Sequence, residues 1–147
     1  MNLEEIAKKM CAKGKGILAA DESTGTMDKR LKSVNVECSE KNRLTFRQTL
    51  FSSEAMKNYI GGVILFDETI RQKSSDGTSM PELITKNNSI PGIKVDKGAK
   101  SLAGSHEETI TEGLDGLRDR LKEYYQLGAR FTKWRAVYNI GNKYPSS

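Results

Sequence analysis

Cysteine and histidine are nearly absent from this chain. Two cysteines, Cys11 and Cys38, among 147 residues build neither a disulfide framework nor a thiolate metal cage. One histidine, His106, excludes His-paired zinc sites and argues against a His-based nucleophilic triad. Long apolar runs are missing too: the longest, such as Gly61 to Phe66, fall far short of the roughly 20 residues that cross a bilayer. The N-terminal MNLEEIAKKM carries acids and no apolar h-region, so no secretory signal is expected. These absences describe a cytoplasmic protein of a reducing compartment, with no metal, no cofactor and no membrane partner. Hydrophobic residues make up 36% and aromatics 7%, enough for one modest core and one domain. Charged residues reach 29%, but periodic apolar runs between them argue against disorder.

The net charge is +5, and it is not evenly spread. Residues 1–117 hold 17 basic and 17 acidic side chains, whereas residues 118–147 hold seven basic and two acidic ones. A local cationic region suits an anionic partner such as phosphate. Acids interrupt the run and no recognition helix or aromatic sheet signature accompanies it, so nucleic acid is not expected.

Hydrophobic periodicity and capping residues divide the chain into alternating elements. Asn2 and Glu5 form a capping-box pattern before Leu3, Ile6 and Met10 at helical spacing. Ile17 to Ala20 reads as a short strand ending at Asp21. Ser39 opens a helix through about Phe51. Val63 to Phe66 reads as a second strand, and Pro81 stands in the first turn of a short helix reaching Lys86. Ile93 to Asp96 reads as a third strand. Leu114, Leu117, Leu121, Tyr124 and Tyr125 share a helical face, with Gly128 in the C′ position. Phe131 to Tyr138 is rich in β-formers, and the polar tail 141–147 has no element of its own. Strand–helix alternation predicts a parallel sheet in an α/β fold.

Buried parallel strands read as continuous apolar runs. Three of these four break that rule near their C-terminal ends. By strand parity Ile17, Ala19 and Asp21 share a face, as do Lys94 and Asp96, and as do Phe131, Lys133 and Arg135. A lone Lys or Asp in a strand is commonly an edge residue facing water. Charges in three strands, each just before a loop, converge instead if the strands curl into a (β/α) barrel, whose sites lie at the C-terminal mouth. Such a set binds phosphate, moves protons, and by its charge favours a nucleophilic lysine.

The same residues carry a family resemblance. Gly14 to Thr24, with the run Ile17-Leu18-Ala19-Ala20-Asp21-Glu22-Ser23-Thr24, resembles the first-strand signature of class I (Schiff-base) fructose-bisphosphate aldolase. Gly61 to Phe66, Gly92 to Gly98, Gly113 to Leu117 and Gly128 to Arg135 resemble its second strand, third strand, third helix and fourth strand. The resemblance implies the N-terminal half of a TIM (β/α)8 barrel: about four parallel strands with three to four helices, residues 1–147 forming an incomplete single domain. It implies reversible cleavage of fructose 1,6-bisphosphate to two triose phosphates through a lysine imine, a glycolytic step. It implies catalytic roles for Asp21 and Lys133, and substrate contacts for Lys94, Arg135, Arg30 and the neighbouring Thr26. Bottom-up chemistry agrees, since a bisphosphate needs cations and an imine mechanism needs a carboxylate near a lysine but no metal.

In that family the imine-forming lysine lies on the sixth strand and an essential glutamate on the fifth. A full barrel takes about 250 residues. The expectation is therefore a chain inactive alone, with a water-facing lumen, an exposed Phe131 and two open sheet edges that invite self-association. The full-length family forms homotetramers. The competing reading is a non-catalytic module that binds sugar phosphates or other anions. Among the remaining residues, Cys11 and Cys38 read as inert thiols and His106 as a surface residue. Tyr124, Tyr125 and Trp134 read as packing, and Lys29 to Lys32 as a solvated face apart from Arg30.

Overall fold

A computed structural model describes residues 1–146. The chain opens with α1 (Leu3–Met10), whose capping box is formed as the sequence predicts: Asn2 Oδ1 accepts from the Glu5 N–H at 2.9 Å and Glu5 accepts from the Asn2 N–H at 2.8 Å. Strand β1 (Gly16–Ala20) follows, then α2 (Thr24–Lys32), α3 (Glu40–Phe51) and α4 (Glu54–Tyr59). Ser23 caps α2 and Ser39 caps α3. Next come β2 (Ile60–Leu65), α5 (Asp67–Arg71), α6 (Met80–Lys86) and β3 (Ile90–Lys94). The hairpin β4 (Ala99–Ser101) and β5 (Thr109–Thr111) precedes α7 (Leu117–Gln126) and β6 (Phe131–Lys133).

Four strands form one parallel sheet in the order β1-β2-β3-β6. The order follows the sequence, as a barrel segment requires. The outward face carries the core: Ala20, Val63, Leu65, Ile93 and Val95 pack under Phe51, Met56, Ile70, Met80, Ile84 and Tyr124 from the helices. All these residues are buried, as outward-facing positions under a layer of helices should be. The opposite face is concave. Adjacent strands lie about 4.8 Å apart, so β1 and β6 in a flat sheet would stand about 14 Å apart. Their side chains nevertheless meet, Lys133 Nζ lying 2.6 Å from Asp21 Oδ2, which requires a sheet curled like part of a barrel wall.

Several boundaries differ from the sequence reading. The helix expected from Leu114 starts at Leu117; Leu114 precedes it in a turn closed by Leu117 N–H to the Leu114 carbonyl at 3.1 Å and is 71% exposed. Tyr125 also faces out, so the packed stripe is Leu117, Leu121 and Tyr124. Gly128 takes the expected place after the α7 C-cap, with φ +112°. Strand β6 stops at Lys133 because residues beyond it leave β3 and run beside the β4–β5 hairpin, where Thr111 Oγ1 donates to the Arg135 carbonyl at 2.8 Å. That hairpin, α2, α4 and α5 add to the four expected helices and strands.

Phe131 is half-buried rather than exposed. Its ring lies over Gly92 and Gly62: a Cβ on Gly92 would fall 2.4 Å from the ring, and one on Gly62 3.3 Å. Two positions without side chains thus make the bed for an aromatic that closes the foot of the concave face. Helix α1 closes it from below, its last turn pressed so closely on β2 that a Cβ on Gly61 would sit 2.3 Å from the Met10 carbonyl oxygen.

Candidate active site

All six residues singled out in the sequence line one cleft at the C-terminal rim of the sheet. Asp21, Thr26, Arg30, Lys94, Lys133 and Arg135 surround about 240 Å³, together with Ala19, Glu22 and Ser23. Strand parity delivers most of them: Asp21 continues the inward positions Ile17 and Ala19, and Lys94 pairs in register with Lys133 across β3 and β6, while Arg135 lies just beyond β6 with its N–H donating to Asp96 Oδ2 at 3.3 Å. The β1–α2 turn supplies the rest. Ser23 caps α2, accepting the Thr26 N–H at 3.4 Å and lying 3.2 Å from the Thr26 hydroxyl. One turn later Arg30 pairs with Glu22.

Two ion pairs organise the rim. Lys133 Nζ donates to Asp21 Oδ2 at 2.6 Å, with Asp21 only 11% exposed and Lys133 31%. Lys94 Nζ donates to Asp96 Oδ1 at 2.6 Å and to the Asp96 carbonyl at 2.7 Å. The Asp96 side chain is fully buried. Burial works to raise its pKa, but the hydrogen bond and charge of Lys94, with the N–H groups of Gly98 and Arg135, outweigh it and hold the carboxyl below the usual carboxylate range. The concave face meets water as expected, Ile17, Ala19 and Arg135 being exposed, while the paired charges occupy its rim. The sequence puts Asp96 on the face of Lys94; the structure adds that it fixes that lysine.

A second layer lay beyond the sequence reading. Arg47, on α3, is fully buried; its Nη2 donates to the Glu22 carbonyl at 2.6 Å and its Nη1 lies 3.5 Å from Glu68 Oε2. Arg43 holds the same Glu68 through Nε at 2.9 Å and Nη2 at 2.5 Å. The hydrogen bonds of Arg43, then its charge and that of Arg47, keep the Glu68 pKa down against burial. The available signal was Arg47's place at helical spacing between Leu44 and Phe51, a cation on an apolar stripe. No group of three or more His, Cys, Asp or Glu suited to a metal stands among the described residues. No helix among them is long and apolar enough to cross a membrane.

The sequence model for fructose-bisphosphate aldolase class-I matches residues 2–147. The chain belongs to the class I fructose-bisphosphate aldolase family. It is 58% identical over 144 residues to a probable class 1 fructose-bisphosphate aldolase of Xanthomonas axonopodis pv. citri, covering 98% of this chain and 43% of that protein. It is 58% identical over 133 residues to the cytosolic fructose-bisphosphate aldolase 6 of Arabidopsis thaliana, covering 90% and 37%. Among solved structures, the fructose-bisphosphate aldolase of Plasmodium falciparum, in a ternary complex with TRAP and a small-molecule inhibitor, superposes with a TM-score of 0.91 at 47% identity. That match covers 96% of this chain and 41% of the Plasmodium chain. The chain thus spans about two fifths of the length of these aldolases. The expected architecture, part of an aldolase TIM barrel, is the observed one.

Proposed function

We propose that this chain carries the sugar-bisphosphate cradle and part of the proton-transfer apparatus of a cytosolic class I fructose-bisphosphate aldolase, and forms no imine with its own lysines. The observation that carries the reading is the 2.6 Å pair of Lys133 and Asp21 in one cleft with Arg30, Lys94 and Arg135. A doubly phosphorylated sugar brings dense negative charge. Arg135 has a guanidinium free of protein partners among the described residues, and Lys94 and Arg30 share its cleft. Asp21, hydrogen-bonded to Lys133, is suited to shuttle protons to and from groups on the reacting carbons. In the aldolase family the carbinolamine and imine form on a sixth-strand lysine, with a fifth-strand glutamate as acid–base. The reaction of the complete barrel, fructose 1,6-bisphosphate to glycerone phosphate and glyceraldehyde 3-phosphate, then draws on the residues named here for binding and proton movement.

Two measurements on the 147-residue chain test this. Titration with fructose 1,6-bisphosphate should show Arg135→Ala binding about tenfold more weakly than wild type, the loss of one charge-assisted hydrogen bond. Equal affinities remove Arg135 from the cradle. Incubation with the same sugar and borohydride reduction should leave the intact mass unchanged. A reduced adduct on Lys94 or Lys133 would overturn the claim that neither is the imine lysine.

A further inference from the structure

Arg47 is the largest of the fully buried side chains, and it is charged. A guanidinium taken from water without full compensation is costly, so its partners show what it is for. Burial pushes its pKa below the ordinary arginine value, against the opposing charges of Glu22 and Glu68, and its Nε has no hydrogen-bond partner. Among the described residues two groups hold it: the main-chain carbonyl of Glu22 at 2.6 Å and the Glu68 carboxylate at 3.5 Å, and its Cζ stands over the Phe66 ring, 5.9 Å from the ring centroid. Glu68 is fixed in turn by Arg43, whose Nη1 also donates to the Cys38 carbonyl at 2.8 Å. The strut therefore runs from α3 and the start of α5 to one peptide group of the β1–α2 turn.

That peptide group occupies a decisive place. Immediately before it stands Asp21, the partner of Lys133. Immediately after it stands Ser23, the cap of the helix that presents Thr26 and Arg30. The Glu22 side chain itself holds Arg30, its Oε1 accepting while its buried Oε2 has no partner. Among the described residues no other buried cation grips the backbone of this turn. We propose that Arg47 is a positioning residue for the sugar-phosphate cleft. Its grip on the Glu22 carbonyl sets both the Lys133–Asp21 pair and the place of Arg30, without touching substrate itself. This rests on the reading of the cleft given above.

The proposal is tested with Arg47→Lys, which keeps a buried cation but cannot span both partners with a planar fork. Trace acetylation with acetic anhydride, read by peptide mass, reports each lysine separately. Releasing the turn should expose the Lys133 amine and raise its labelling rate at least threefold, while Lys8, in an exposed i,i+4 pair on α1, keeps its wild-type rate. Affinity for fructose 1,6-bisphosphate should fall about tenfold, the scale of a lost hydrogen bond to a charged group. A folded variant with unchanged Lys133 labelling and unchanged affinity overturns the proposal. Should all lysines label faster together, the variant has unfolded and Glu68→Gln decides. That change weakens the strut from its far end, and is expected to raise Lys133 labelling about twofold; an unchanged Lys133 rate there also overturns the proposal. Arg30→Ala separates this failure from failure of the cleft reading: if it too leaves bisphosphate affinity unchanged, the cleft reading is what has failed.

Discussion

Val63, Leu65 and Ile93 on the helix-covered face of the sheet are fully buried, whereas Ile17, on the concave face, is 45% exposed. The same strands supply both faces, offset by a single residue. On one side the surface removed from water is hydrocarbon, and shape alone decides the fit. On the other side the residues at the rim are Asp21, Lys94, Asp96, Lys133 and Arg135; the two carboxylates are paired with the two lysines, and Arg135 is exposed. The covered face is where the chain buries its apolar surface, and the concave face is where its ionised side chains gather. The two are coupled chiefly at the turns that leave β1 and β3.

The contrast is sharpest for large-to-small substitutions. Leu65→Ala removes buried volume among Phe51, Met80 and Ile84 and is expected to cost about 2–5 kcal/mol. Ile17→Ala on the concave face, already half in water, is expected to stay within about 1 kcal/mol. Urea unfolding of both variants checks the pair, and equal costs would break the division between the faces.

A smaller difference separates two glycines that both admit a neighbour. At Gly61 an added Cβ meets the Met10 backbone at 2.3 Å, and only a shift of α1 relieves it. At Gly92 it meets the outer atoms of the Phe131 ring at 2.4 Å, and that ring can swing into the concavity. Overpacking of this kind costs about 1–3 kcal/mol, and Gly61→Ala is expected near the top of that range with Gly92→Ala near the bottom. Thermal unfolding ranks them, and Gly92→Ala destabilising as much as Gly61→Ala would mean that the Phe131 ring is held over the foot of the concave face as rigidly as the α1 backbone is held against β2.

Strand parity and the resemblance together made most of the site legible. Period-two alternation puts Asp21, Lys94 and Lys133 each on a definite face of its own strand, because a strand leaves only two choices, and a barrel curl then makes those faces converge. What stayed hidden was either too short or too distant. The β4–β5 hairpin has three residues a side, polar and Thr-rich, with no apolar alternation to announce it. Strand β6 ends at Lys133 although β-formers continue to Tyr138, because pairing with β3 rather than propensity sets its length. Helix α7 starts after Leu114 because a turn, not the apolar spacing, fixes its first residue. The Phe131 ring was expected in water since its cover is two glycines on other strands. Arg47 and Glu68 are 21 residues apart, and nothing local says that one half-buried carboxylate joins two arginines to the β1–α2 turn.

Acid distinguishes the faces by the smallest margin and with a defined sign. Asp96 has a folded-state pKa below its ordinary value, because Lys94 and two backbone N–H groups favour the charged form over the opposing effect of burial. In the unfolded chain an aspartate titrates near about 3.9. The pairing therefore contributes stability that is fully present above that value and is lost as pH falls through the lower folded-state pKa. Asp67 and Glu68, at the start of α5, behave the same way: burial opposes, and Arg71 with the Tyr124 hydroxyl lowers Asp67, while Arg43 lowers Glu68. Wild-type stability is thus expected to fall below about pH 4 through contributions from both faces. Asp96→Asn removes only the concave-face share. Urea unfolding between pH 5 and pH 2.5 should give a shallower acid slope for the variant than for wild type, with a residual slope from Asp67 and Glu68. Identical slopes would mean that the Lys94–Asp96 pair, despite its burial, contributes nothing that protonation can remove.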